Sequence, residues 1–296
     1  MSHAPHESLY STELVQVLVE HFWTRYYAII FFTCLIPFFI YFVLVLIYSS
    51  EFVIFRPENI KEIESTQEIV IRIAIICLLL YFASLDVLCM FRDGWTYLKD
   101  IFNWVDMFSI LINVFVLIET SNKFDKDHVK IVRPIAALGV ILMWIKAFYW
   151  LRIFTGTSFY VRLIRDTLYD IRHFLILFIL ILFTFGNALL ILNQGRDDDL
   201  FFNFFKFTIF NAVMNQYMLS LGEFNTENFS NEGGDYIVWL VFIASTFVTQ
   251  ITFLNMLIAI MGDTFDKATE VKEQSALKEK IDILADYVAI VGRESS

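Results

Sequence analysis

Charge is what this sequence has least of. Only 18% of its 296 residues are Asp, Glu, Lys or Arg, where a soluble domain carries about 25%. Positive charge is the scarcer sign: 22 Lys and Arg face 32 Asp and Glu, a net charge of −10. That balance leaves no basic patch for a phosphate backbone and excludes a nucleic-acid partner. Cysteine is also sparse. Cys34, Cys77 and Cys89 all lie inside apolar runs, so neither a disulfide framework nor a zinc-ligand spacing is present. The ten glycines form no phosphate-binding loop, and the five histidines (His3, His6, His21, His128 and His173) are scattered. No catalytic cluster emerges, so the expectation is a non-enzyme without a cofactor.

Apolar residues fill the space. They make up 58% of the chain, aromatics 18%, and mean hydropathy is +0.63. The excess falls in blocks of about 20 residues, the length a helix needs to cross hydrocarbon. The prediction is an all-α polytopic membrane protein with spans at 27–48, 69–91, 101–118, 131–151, 174–192 and 236–261. Ahead of them, residues 1–26 lack the basic start and small-residue cleavage site of a signal peptide. Leu14, Val17, Leu18, His21 and Phe22 share one helical face there, which predicts an amphipathic helix against the membrane surface or another part of the protein. The predicted organisation is a pre-span helix over 1–26, a four-helix peripheral bundle over 27–152, an interfacial connector over 153–172, a pore domain over 173–263 and an amphipathic tail helix over 264–296.

The segment between the last two spans is the most informative. Residues 200–217 are aromatic, but Asn203, Lys206, Asn211, Asn215 and Gln216 interrupt them, and the remainder is too short to cross. This reads as a re-entrant helix, followed by backbone at membrane depth in Ser220-Leu221-Gly222-Glu223. Several copies around an axis would turn one Glu223 into a ring of carboxylates, with the carbonyls of Ser220, Leu221 and Gly222 replacing water around a metal cation. Oxygen ligands and closely spaced carboxylates suit hard divalent ions. An exposed acidic loop with a solvated Glu223 is the competing reading. Six crossings place both ends on one side. That side carries twelve Lys and Arg against nine on the other, which also bears fifteen Asp and Glu. The bias predicts cytosolic termini, a cation-concentrating outer mouth, and an outward position for the sequon Asn228-Phe229-Ser230, a possible glycosylation site.

Within the spans, Asp86, Asp106 and Lys146 each carry an insertion cost of about 2.5–3.5 kcal/mol. They are expected to face one another or a watery cavity, with Arg152 in the same intramembrane charge network; structural ion pairing and a cation or lipid site are the two readings. Arg133, Lys146 and Arg152 are spaced too irregularly for a voltage-sensing stripe.

Four stretches carry a family resemblance. Residues 253–265 (FLNMLIAIMGDTF) closely resemble the end of the last span in transient receptor potential (TRP) channels, particularly the vanilloid subfamily. Residues 220–229 are similar to the vanilloid filter and following loop, 150–154 to the junction before the fifth span, and 13–23 to the helix before the first. The resemblance implies a voltage-gated-like ion channel architecture, a homo- or heterotetramer in membrane lipid, and passive conduction of calcium, sodium and potassium. It places the filter at Ser220, Leu221, Gly222 and Glu223, with Glu223 meeting the permeating metal ion, and the lower gate at Ile258 and Asn255. A plasma-membrane location follows from the same likeness. The pattern departs in three respects. Only about 26 residues precede the first span, which leaves no ankyrin repeats in this sequence; Ala276 replaces the expected tryptophan after the pore; and Arg165 stands where vanilloid pockets carry an acid. Two function classes stand: a cation channel subunit, and a non-conducting structural or regulatory subunit that retains the fold.

Overall fold

The computed structural model describes residues 12–54, 66–99, 101–121, 126–194, 200, 207–223, 226, 229 and 235–291. Among them, six helical segments are long and apolar enough to cross a membrane: Glu13–Glu51, Thr66–Arg92, Ile101–Thr120, Lys130–Ile153, Arg172–Asn193 and Tyr236–Glu270. The chain divides into two compact units, one of Met1–Val161 with Lys272–Ser296, the other Arg162–Val271.

In the first unit, α1 (Glu13–Ile30) runs through a wide π turn (Phe31–Leu35) into α2 (Ile36–Tyr48). The pre-span helix and the first span are therefore one continuous rod. Nothing between Tyr26 and Ile30 breaks it, since a change from amphipathic to uniformly apolar composition does not interrupt backbone hydrogen bonds. Pro37 is accommodated early in α2. It has no N–H to give the Thr33 carbonyl, and the Tyr81 hydroxyl, from the next span, donates to that oxygen at 2.8 Å.

Helix α3 (Thr66–Asp93) ends at Gly94, whose φ of +54° starts a 3₁₀ turn (Gly94–Lys99). Asn103 Nδ2 and Trp104 Nε1 of α4 (Ile101–Ser121) donate back to the carbonyls of Tyr97 and Leu98. Helix α5 (Lys126–Trp150) lies close along α4: a Cβ on Gly139 would stand 2.7 Å from Ile112 Cγ2. Phe38, Tyr41, Phe42, Ile75, Val132 and Met143 pack at the centre of the bundle. Polar side chains there are paired across spans, Tyr48 with Thr120 at 2.6 Å and Asn113 with Tyr41 at 2.8 Å. Outward-facing Leu80, Leu111, Leu138 and Phe148 are exposed, an arrangement that hydrocarbon solvates and water does not.

A short 3₁₀ turn (Leu151–Ile153) leads to α6 (Thr155–Asp170). The tail helix, labelled α11 (Lys272–Val291), belongs to this first unit, where Ile283 and Leu284 join the core. Lys280 of α11 pairs with Glu20 and lies over the Trp23 ring at 5.8 Å. The amphipathic faces of α1 and α11 are thus partly spent on each other.

The second unit contains α7 (Arg172–Asn193), α8 (Thr208–Ser220), α9 (Asp235–Thr246), a π segment (Phe247–Phe253) and α10 (Leu254–Glu270). Gly186 lets α7 approach α8: a Cβ there would meet the backbone of Ala212 and Val213 at 3.3 Å, the small-residue contact common between membrane helices. Leu189, Leu200, Ala212, Phe229 and Val238 form the core.

Candidate functional site

Helix α8 has 13 residues, about 20 Å at 1.5 Å per residue. A hydrocarbon core is about 30 Å thick, so α8 enters without crossing.

A helix leaves its last carbonyls without intrahelical partners, and at membrane depth each needs another donor. Glu223 N–H bonds to the Met218 carbonyl and Gly222 N–H to that of Leu219, both at 3.0 Å. With Gly222 in the left-handed region at φ +98°, this is a Schellman cap. Leu221 N–H reaches the Tyr217 and Met218 carbonyls, and the Ser220 hydroxyl donates to Tyr217 at 2.6 Å. Leu219 accepts a second bond, from Gln250 Nε2 at 3.0 Å. The next two carbonyls, of Ser220 and Leu221, accept none among the described residues. Two backbone oxygens are thereby left available beside the exposed carboxylate of Glu223. The Ser220 side chain is buried and tied to its own helix, so its backbone carbonyl is the available ligand.

Behind the turn lies a polar seam. Gln216 bonds through Nε2 to the Ser245 hydroxyl, and Thr249 Oγ1 donates to the Ser245 carbonyl at 2.8 Å. All three residues are fully buried. In the sequence Gln216 stands out only as an interruption of the apolar block, and Ser245, Thr249 and Gln250 carry no such mark. The available signal is four polar residues, Ser245, Thr246, Thr249 and Gln250, within under two turns of a largely apolar span.

On α10, Asn255 and Ile258 lie one turn apart on the exposed side. Ile258 is 68% exposed, and Leu254, Met261 and Phe265 continue the stripe at helical spacing. Below it, Thr264 Oγ1 donates to Asp170 Oδ2 at 2.9 Å.

The charges in the first unit form a separate cluster. Lys146 Nζ stands 2.8 Å from Asp106 Oδ1 and lies over the rings of Phe38 and Phe82, at 5.5 and 5.4 Å. Asp86 is within electrostatic reach of both Lys146 and Asp106, and its Oδ2 is buried without a hydrogen-bond partner among the described residues. Arg152 does not join this cluster. Its Nη1 is 3.4 Å from Glu279 Oε1 on α11, and its guanidinium stacks on Tyr149 at 3.9 Å. No group of three or more His, Cys, Asp or Glu arranged to hold a metal ion occurs among the described residues. Asn228 lies outside the described residues.

Six spans with a short capped helix between the last two define a multi-pass membrane protein of the six-helix, voltage-gated-like channel fold. The ion transport protein family model matches residues 31–273. The chain belongs to that family and is an ion channel subunit. Channels of this family assemble as oligomers, which supplies the copies that a single re-entrant turn needs to surround an ion.

Proposed function

We propose that the chain is one subunit of a TRP-like tetramer that conducts calcium, sodium and potassium passively, with Ser220, Leu221, Gly222 and Glu223 as the filter. The observation that carries this reading is the capped end of α8: among the described residues every carbonyl from Tyr217 to Leu219 accepts a bond, while those of Ser220 and Leu221 accept none. Four copies would present a ring of such oxygens behind four Glu223 carboxylates, an environment suited to hard cations. The resemblance of residues 253–265 to the last TRP span supports the subfamily. It also supports Ile258 as the hydrophobic constriction, with Asn255 one turn away. Asp86, Asp106 and Lys146 act in this reading as structural charges of the peripheral bundle, and Arg152 as the partner of the tail helix. The termini are cytosolic, the membrane is the plasma membrane, and Asn228 faces outward for glycosylation.

Bilayer recording from purified protein tests the filter. Glu223→Gln is expected to weaken divalent permeation and divalent block while particle imaging still counts four copies. Unchanged divalent behaviour in an active channel would remove Glu223 from the ion path. An assembled protein that never conducts would favour the non-conducting subunit instead.

A further inference from the structure

Gln250 is a neutral side chain in the π segment of the last span, half-buried, and its amide lies against the filter turn from behind. Its Nε2 donates to the Leu219 carbonyl at 3.0 Å, 31 residues away in sequence. The same nitrogen is the nearest atom, outside the adjoining residues, to a Cβ placed on Gly222, at 3.7 Å. One amide thus holds the last bonded carbonyl and stands beside the glycine that turns the chain.

We propose that Gln250 is a positioning residue for ion passage: by holding the Leu219 carbonyl, it sets where the Ser220 and Leu221 carbonyls stand and thereby tunes discrimination between divalent and monovalent cations. The inference rests on the reading of residues 220–223 as the ion path.

The physical case is one of load. A cation at the Ser220 and Leu221 oxygens attracts carbonyl dipoles at the C-terminus of α8, where the helix dipole is negative. Among the described residues the turn is otherwise held by bonds within its own seven residues, from Tyr217 to Glu223, and those move with it. Gln250 supplies an anchor outside the turn. An amide also adds no charge, so it restrains the oxygens without competing with the ion. The π segment Phe247–Phe253 contributes to the register, because its wider turn changes which side chains of the last span face α8. Gln216 makes the matching bond from α8 to Ser245, so the helix is tied to the last span at its middle and at its end.

Bi-ionic reversal potentials from the full chain in bilayers test this, with Glu223→Gln as the reference. Gln250→Met keeps the side-chain length and removes the donor. It is expected to change the calcium-to-sodium permeability ratio several-fold, the size of one hydrogen bond, in particles with the wild-type number of copies. A Gln250→Met channel that loses thermal stability but keeps the wild-type ratio would overturn the proposal, since a purely structural bond predicts that result. If Gln250→Met does not assemble, Gln250→Leu is read by the same rule; it is also uncharged and also lacks the donor. A ratio altered by Glu223→Gln but not by the Gln250 variants defeats the positioning role alone. A ratio that no variant alters defeats the filter reading and the proposal together.

Discussion

Gly222 shows how much one residue decides. At φ +98° it occupies backbone space that costs a side-chain-bearing residue about 1–2 kcal/mol. The nearest outside atom to an added Cβ is an ordinary 3.7 Å away. Gly222→Ala is therefore penalised by its dihedral angle and not by a clash. The expected outcome is a cap that opens, seen as a lower melting temperature in detergent and a reduced single-channel conductance; an unchanged conductance would detach the cap from permeation. The turn at Gly222 was legible in the sequence because a glycine after an apolar block too short to cross reads as a helix stop. Lys146 and Asp106 were legible for a related reason, since isolated charges in hydrocarbon must find each other. The partners of Arg152 and Leu219 were not. Glu279 and Gln250 lie 127 and 31 residues away, and their meeting depends on how helices dock, which local patterning does not encode.

Elements were legible to the extent that length and hydropathy define them. The six spans stand out because about 20 apolar residues in a row have little other explanation. The junction between α1 and the first span did not. Glu13, Glu20 and Arg25 give α1 an amphipathic pattern that reads as a separate surface helix, yet the backbone continues through it. Pro37 gives a test of how such a long helix stays intact. Tyr81→Phe removes the hydroxyl that serves the Thr33 carbonyl and is expected to destabilise by about 1–3 kcal/mol, the range for a polar group left unsatisfied. Pro37→Ala restores a local N–H, so Tyr81→Phe should cost clearly less in that background. A double-mutant cycle on thermal unfolding measures the difference. Additive effects would show that the tyrosine serves some other purpose.

For the whole molecule, the exposed stripe of Leu254, Ile258, Met261 and Phe265 matters most. A ring of isoleucines at 258 would exclude water from a narrow passage, and dewetting of that kind blocks ions without occluding the path by contact. Ile258→Asn is expected to conduct without a stimulus, measured as steady leak from reconstituted protein. An assembled but silent variant would place the constriction elsewhere. The cap at the end of α8 has a consequence for assembly as well. The bonds of the cap described above, and the brace from the last span, join residues of one polypeptide. With residues 220–223 read as the ion path, as proposed above, each copy would carry its share of the ion-facing chemistry within its own chain. In rings mixed from parental and altered copies, conduction should accordingly change in graded steps with the number of altered members; an all-or-none change would show that neighbouring copies shape the turn together.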